Sequence, residues 1–412
     1  MNSHSYDRRR PSFFKTLILA GVGLLFGLGI QQRAVGQNPL DKGTEETFEI
    51  ATWNIEWFGG ANGPTDDARQ VRNATRIIRD ADIDLWALQE IADETAFATM
   101  IADLGGTYEG RLAPTSSQRG LGLAFVYKSD VVRVRRIQEI LTSFSSDFAG
   151  RPPYQLEADV TVDGPTVTVT FIVVHMKAMS DRDSYDQRVA ASNRLKIHID
   201  FTSLSTKPVI ILGDLNDLLS GSITSGELSP YKNFVDDPAY TTPTLAFQSD
   251  GRNTYCFSSG CLSGSPIDHI ILSNEVVPMY VTDSADHFDE LISEVTSYVS
   301  TTSDHLPALA VFSLTSTDIE TEVPPADPEL TSAYPNPFRD KLTVQYTQSV
   351  AGAVDVVLLD ILGRTVARLP QTSLPAGHHV MSVPVEGLAS GPYVLRVSDA
   401  FGRSHALLVA RR

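Results

Sequence analysis

Side chains able to ligate a cation, move a proton or hold a phosphate stand directly beyond apolar runs along this chain. Asn54 and Glu56 follow FEIATW, Glu90 ends LWALQE, His175 follows TFIVV, and Asp214 and Asn216 follow VIILG. Asp268 sits in PIDHIIL, and Asp304-His305 precede a last apolar run. A sheet gathers strand ends that are distant in sequence at one rim, which is where sites form on sheet scaffolds. Glu56, Glu90, Asp214, Asp268 and Asp304 gathered there would repel one another strongly. A hard divalent cation resolves that conflict, and the oxygen donors point to Mg²⁺, with Mn²⁺ or Ca²⁺ as alternatives. Zinc is disfavoured by the shortage of nitrogen and sulfur donors. Two histidines at the same rim suit proton transfer and stabilisation of developing charge, each worth about 10²–10⁴-fold. His269 alternates with Asp268 along a strand, so it is expected to face packing instead.

The elements that must position these residues are strand-like runs at 48–53, 85–88, 121–127, 167–174, 209–212, 267–272 and 306–314. Helical periodicity appears at 66–81 and 185–204. Together they read as one large α/β domain over residues 46–315. With 412 residues, 42% hydrophobic and 20% charged, the chain can bury a real core and has room for a second unit. The net charge of −17 argues against non-specific polyanion binding by the whole surface, but leaves room for a locally positive site.

TWNIEWF (52–58), LQE (88–90), VVHMKA (173–178), GDLND (213–217), SPIDHI (265–270) and SDH (303–305) together resemble the DNase-I-like endonuclease/exonuclease/phosphatase family, in the family's order. The resemblance implies a four-layered α/β sandwich that hydrolyses phosphate esters with a divalent metal. Carried over residue by residue, it makes Glu90 the principal metal ligand, with Asn54, Glu56 and Asp304 nearby. Asp214 and Asn216 resemble the pair that orients the attacking water and the phosphate. His305 resembles the catalytic histidine held by Asp268, and His175 the second histidine of secreted nucleases. Arg119 stands where some members place a phosphate-contacting arginine.

Residues 1–36 read as a secretory signal peptide, with Arg8, Arg9, Arg10 and Lys15 before an apolar run that is too short to span a bilayer. Export puts Cys256 and Cys261, the only cysteines, in an oxidising compartment where they are expected to form a disulfide. Residues 316–331 are acidic and rich in proline, the composition of an extended linker. Short β-like runs separated by turn signals then fill residues 332–412, as in a small all-β sandwich. SAYPNPF, VVLLDILGR, LPAGHH, LASGPYVLRV and the final VARR resemble the type IX secretion sorting domain. That implies an encounter with the outer-membrane secretion machinery and a secreted or cell-surface protein.

The leading expectation is a nuclease acting on DNA or RNA. A sphingomyelinase-like lipid phosphodiesterase, a small-molecule phosphatase and an inert surface-binding module stay open. The arginines at 69, 72, 76 and 79 share a helix face, which reads first as a solvated surface. Arg188 is expected to be structural.

Overall fold

The computed structural model describes residues 38–114, 121–314, 329–348, 351–360, 363–370, 372–398 and 404–412. The leader at 1–36, Arg119 and residues 316–328 of the expected linker lie outside them.

Parallel strands cannot be joined by a tight turn and need a crossover, usually a helix. The chain makes that arrangement twice. β1 (Phe48–Phe58) and β2 (Leu85–Ile91) pair in parallel across α1 (Asp67–Ala81). β7 (Thr166–His175) and β8 (Val209–Asp214) pair in parallel across α3 (Arg182–Asp200). These are the two helices legible in the sequence. α1 starts where Asp66 caps it, its carboxylate accepting the Arg69 N–H at 2.9 Å.

The parallel pairs seed two six-stranded sheets. The first adds β3 (Tyr108–Leu112), β4 (Gly122–Lys128), β13 (Asp286–His287) and β14 (Ala308–Phe312), in the order β13-β14-β1-β2-β4-β3. The second adds β5 (Val132–Glu139), β6 (Tyr154–Thr161), β9 (Tyr240–Thr241) and β12 (Asp268–Ser273), in the order β5-β6-β7-β8-β12-β9. β10 (Tyr255–Cys256) and β11 (Gly264–Ser265) form a separate hairpin.

Residues such as Phe48, Ile50, Leu85 and Phe125 on one sheet pack against Leu156, Phe171, Ile210 and Ile270 on the other. The outer face of the first sheet buries Trp53, Trp86 and Leu88 under α1 and α2 (Glu94–Leu104), through Ile77, Ile78, Phe97 and Met100. The outer face of the second buries Ile172, Val174 and Ile211 under Ala191, Leu195 and Ile199 of α3. The result is the expected four-layered sandwich, helix–sheet–sheet–helix. Strands covered on both faces explain why their sequences read as continuous apolar runs.

The C-terminal unit is all β. β15 (Glu329–Tyr334), β16 (Leu342–Gln348) and β20 (Gly377–Val383) form one sheet. β17 (Gly352–Leu359), β18 (Thr365–Arg368), β19 (Thr372–Leu374), β21 (Gly391–Ser398) and β22 (Ser404–Arg411) form the other. Phe338, Val344, Tyr346, Val356, Leu358 and Leu395 fill the core between them. β15 begins at Glu329, so the last residues of the stretch read as linker are strand.

Near the start of β1, Glu49 is buried beside Asp84, which accepts the Glu49 N–H at 2.9 Å and lies 3.0 Å from Lys128 Nζ. Burial, with repulsion from Asp84, pushes the Glu49 carboxyl up to about 8. Because the folded-state value exceeds the unfolded one, protonated Glu49 favours the fold. That contribution is complete below about pH 4.5 and is lost as pH rises through about 8. Wild type is therefore expected to lose thermal stability relative to Glu49→Gln across this window. A difference in melting temperature that stays flat over the same range would refute it.

Candidate active site

At the ends of β1 and β2 the ladder breaks, with register shifts between Asn54 and Phe58 and between Leu88 and Ile91. Glu56, Trp57 and Glu90 take positive φ of 25°, 48° and 63°. Such backbone is costly without glycine and persists where its surroundings hold it, commonly at functional sites. The irregularity lets Glu90 accept the Trp57 N–H at 2.9 Å and the Asn54 amide at 3.2 Å. The same Asn54 nitrogen reaches Asp214 Oδ2 at 3.0 Å, tying the first sheet to the second.

In the second sheet, register does the placing. His175 sits beside Asp214 in the parallel pair, and Asp268 lies opposite Asp214 in the antiparallel one. Gly213 permits this approach, because a Cβ there would stand 2.0 Å from the Val174 carbonyl oxygen. Asn216, at φ 51°, donates its backbone N–H to Asp214 Oδ1 at 2.8 Å and its amide to Met176 O at 3.2 Å.

His305 arrives on the loop before β14. Its Nδ1 lies 2.8 Å from Asp268 Oδ2, and its backbone N–H donates to Ser303 Oγ at 2.9 Å. Ser303 in turn donates to the Asn54 carbonyl at 2.6 Å, and Tyr298 and Trp53 donate to the His305 carbonyl. Donor atoms of Asp214, Asp268 and His305 fall within 4.8 Å of one another. His175 Nε2 stands 3.5 Å from Asp214 and 3.8 Å from Glu90, and Asp304 lies 3.9 Å from His305 Nε2.

The electrostatics set the two imidazoles apart. Burial opposes charge on His305, but Asp268, Asp214 and Asp304 outweigh it and hold the ring well above the ordinary histidine range. Burial, reinforced by Arg151 and His305, holds His175 well below that range. Burial and then Asp268 push the Asp214 carboxyl up. Glu56 rises to about 7 through burial and then Asp304, with Glu90 adding repulsion.

Asn54, Glu56, Glu90, His175, Asp214, Asn216, Asp268, Asp304 and His305 therefore meet at one rim. Cys256 and Cys261 are disulfide-bonded, and the Cys256 N–H donates to the Asp304 carbonyl at 2.8 Å, so the bridge borders the site. His269 turns away as expected, with its ring between Thr244 Oγ1 and the Asp217 carbonyl. Arg188 is fully buried against Asp217 at 2.8 Å and holds the Lys177 and Met179 carbonyls. Arg69, Arg76 and Arg79 of the α1 stripe reach the carbonyls of Thr296, Glu294 and Asp103.

Two site residues escaped the sequence reading. Arg151 donates to the carbonyls of His175 and Met176 at 3.3 and 2.9 Å, within the field of Asp214 and Glu90. Gln70, buried in α1, donates to the carbonyls of Ile55, Glu56 and Thr302, bracing the irregular end of β1 against the histidine loop. Its one sequence signal is an amide on an apolar helix face.

Residues 51–305 match the Endonuclease/Exonuclease/phosphatase family, and residues 332–409 match the secretion system C-terminal sorting domain. The chain thus belongs to the Endonuclease/Exonuclease/phosphatase family of phosphoesterases, whose members generally depend on divalent metals. Its type IX sorting domain marks it for export, as a secreted or cell-surface protein. Among solved structures it is similar to the endonuclease/exonuclease/phosphatase from Bacteroides vulgatus (16% identity, 65% of this chain and 98% of that one, TM-score 0.48). It is also similar to D. rerio TDP2 complexed with single-strand DNA product (16%, 65% and 98%, 0.47). The human Nocturnin catalytic domain is a further likeness (16%, 66% and 95%, 0.45). No curated protein matches the chain. No helix among the described residues is long and apolar enough to cross a membrane.

Proposed function

We propose that this protein is an exported, divalent-metal-dependent phosphodiesterase that hydrolyses nucleic acid. The observation that carries the reading is the pair of imidazoles, His305 and His175, flanking Asp214 at the rim where the two sheets meet.

A cation fits the donors present. Glu56 is half-buried and pushed up by burial and then by Asp304 and Glu90, a repulsion that a cation among these carboxylates would relieve. Among the described residues Asp214, Asp268 and His305 are the one trio whose atoms meet within 4.8 Å, but His305 Nδ1 is already engaged by Asp268. We therefore assign the ion to Glu90, Glu56, Asp304 and the Asn54 amide oxygen. When bound, Mg²⁺, or Mn²⁺ or Ca²⁺ in its place, polarises a phosphate oxygen and offsets charge on the leaving oxygen.

The protein's own residues supply the rest. Asp214, fixed by Asn54 and the Asn216 N–H, orients the attacking water. Asp268 holds the His305 ring by Nδ1, leaving Nε2 to carry a proton at the reacting phosphate. His175 and Asn216 approach that phosphate from the β7–β8 side, and Arg151 grips it. Arg151→Ala is expected to cut kcat/KM by about 10- to 150-fold, the cost of losing a hydrogen bond to a charged group. Arg151→Lys, lacking the planar fork, is expected to recover only part. Wild-type kcat/KM in Arg151→Ala would remove it from the site.

The direct test incubates the protein with plasmid DNA, RNA, sphingomyelin vesicles and inositol phosphates, with Mg²⁺ or with EDTA. Cleavage of the nucleic acids in Mg²⁺ is expected. Cleavage of lipid alone, or of inositol phosphates alone, would overturn the nucleic-acid reading.

A further inference from the structure

A hairpin closed by the disulfide stands against the catalytic histidine. Tyr255 of β10 bridges His305 by its backbone, and its ring centroid lies 4.9 Å from the imidazole. Phe257 meets Tyr255 edge-on at 5.4 Å and leaves 63% of its surface exposed. Strand alternation explains the pairing: Cys256 turns into the core beneath the first sheet, while Tyr255 and Phe257 share the opposite face. The Phe257 N–H continues the ladder to the Ser263 carbonyl at 2.8 Å. The Cys256–Cys261 bridge and the Cys256 bond to the Asp304 carbonyl fix this aromatic pair to the loop that carries His305.

We propose that Tyr255 and Phe257 form a stacking subsite for the nucleobase next to the scissile phosphate, a proposal that rests on the nucleic-acid reading above. Every base offers a π-face, so a fixed aromatic ring beside the reacting centre recognises it without reading sequence. The loop CFSSGCLSGS holds no lysine or arginine to meet an anionic lipid surface, and because it exposes Leu262 as well as Phe257, zwitterionic vesicles form the competing arm of the test. Tyr255 lies tilted against the imidazole at 4.9 Å with the exposed Phe257 ring beyond it, which places an aromatic surface one step from the reacting phosphate, where a planar base would lie.

The test uses the full chain and single-stranded oligonucleotides in which each base flanking the cut is replaced in turn by an abasic spacer. Wild type is expected to favour the intact substrate at one flank by about 5- to 150-fold in kcat/KM, through KM. Phe257→Ala is expected to erase that preference by losing far more kcat/KM on the intact substrate than on the abasic one. Phe257→Trp is expected to keep it. Equal losses on both substrates, or a preference that survives Phe257→Ala, would overturn the subsite alone. Failure of wild type to cut any oligonucleotide, with hydrolysis of sphingomyelin vesicles that Phe257→Ala weakens, would overturn the nucleic-acid reading and make the loop a lipid contact.

Discussion

Asp214→Asn is expected to lower kcat by about 10²–10⁴-fold while leaving the melting temperature unchanged or raised. The asparagine keeps the shape and its oxygen can still accept from the Asn216 N–H, while its amide nitrogen gives up the bond from Asn54, a loss that removal of the buried charge offsets. What disappears is a negative charge that the folded protein disfavours, because burial and Asp268 both push the Asp214 carboxyl up. Loss of activity with no loss of stability is the signature of a group retained for chemistry. Substitution of His305 by asparagine is expected to reduce kcat by a similar factor, at some cost in stability, because Asp268 would lose its partner. Groups that act as a unit are not additive, so the double variant should be scarcely slower than either single one. Turnover of the same phosphodiester, with melting followed by circular dichroism, checks all three. Multiplicative losses would mean that Asp214 and His305 act in separate steps, and an unstable Asp214→Asn would mean a structural carboxylate.

Chelation is expected to have the larger effect. Charge stabilisation by a bound ion is worth several kcal/mol, so EDTA should slow hydrolysis on the order of 10³-fold or more, and Mg²⁺ should restore it. Glu90→Gln should raise the Mg²⁺ concentration needed for half-maximal rate. Removing even an outer partner of a metal ligand costs about 10–100-fold in affinity, so a shift of at least that size is expected. Calorimetric titration of Mg²⁺ into wild type and variant gives a second readout independent of turnover. Undiminished hydrolysis in EDTA would contradict the assignment of Glu56, Glu90, Asp304 and Asn54 to a cation.

The strand ends were legible because polar residues interrupt long apolar runs there, and register then did the gathering. The crossover helices were legible because apolar residues recur at helical spacing, as Val71, Ala74 and Ile78 do in α1 and Ala191, Leu195 and Ile199 in α3. α2 was not, since Phe97, Met100 and Leu104 are its few buried anchors in an otherwise small-residue segment. β5 escaped because its alternation, Val132-Arg133-Val134-Arg135, is short and breaks at Arg136, where the register shifts, and its charges suit an edge strand. Arg151 precedes Pro152-Pro153 with no spacing to mark it, and its role arises only where the folded chain sets it against the carbonyls after β7. The disulfide was readable from compartment logic, but its contact with Asp304 was not, because that depends on a hairpin stacked against a distant loop.

Asn54, Glu90 and His305 come from one sheet and its flanking loop, whereas His175, Asp214 and Asp268 come from the other. Neither half holds the whole set. A chain whose two sheets have not yet packed together therefore lacks the full set of these side chains at one place, so the rim is assembled only by closure of the sandwich.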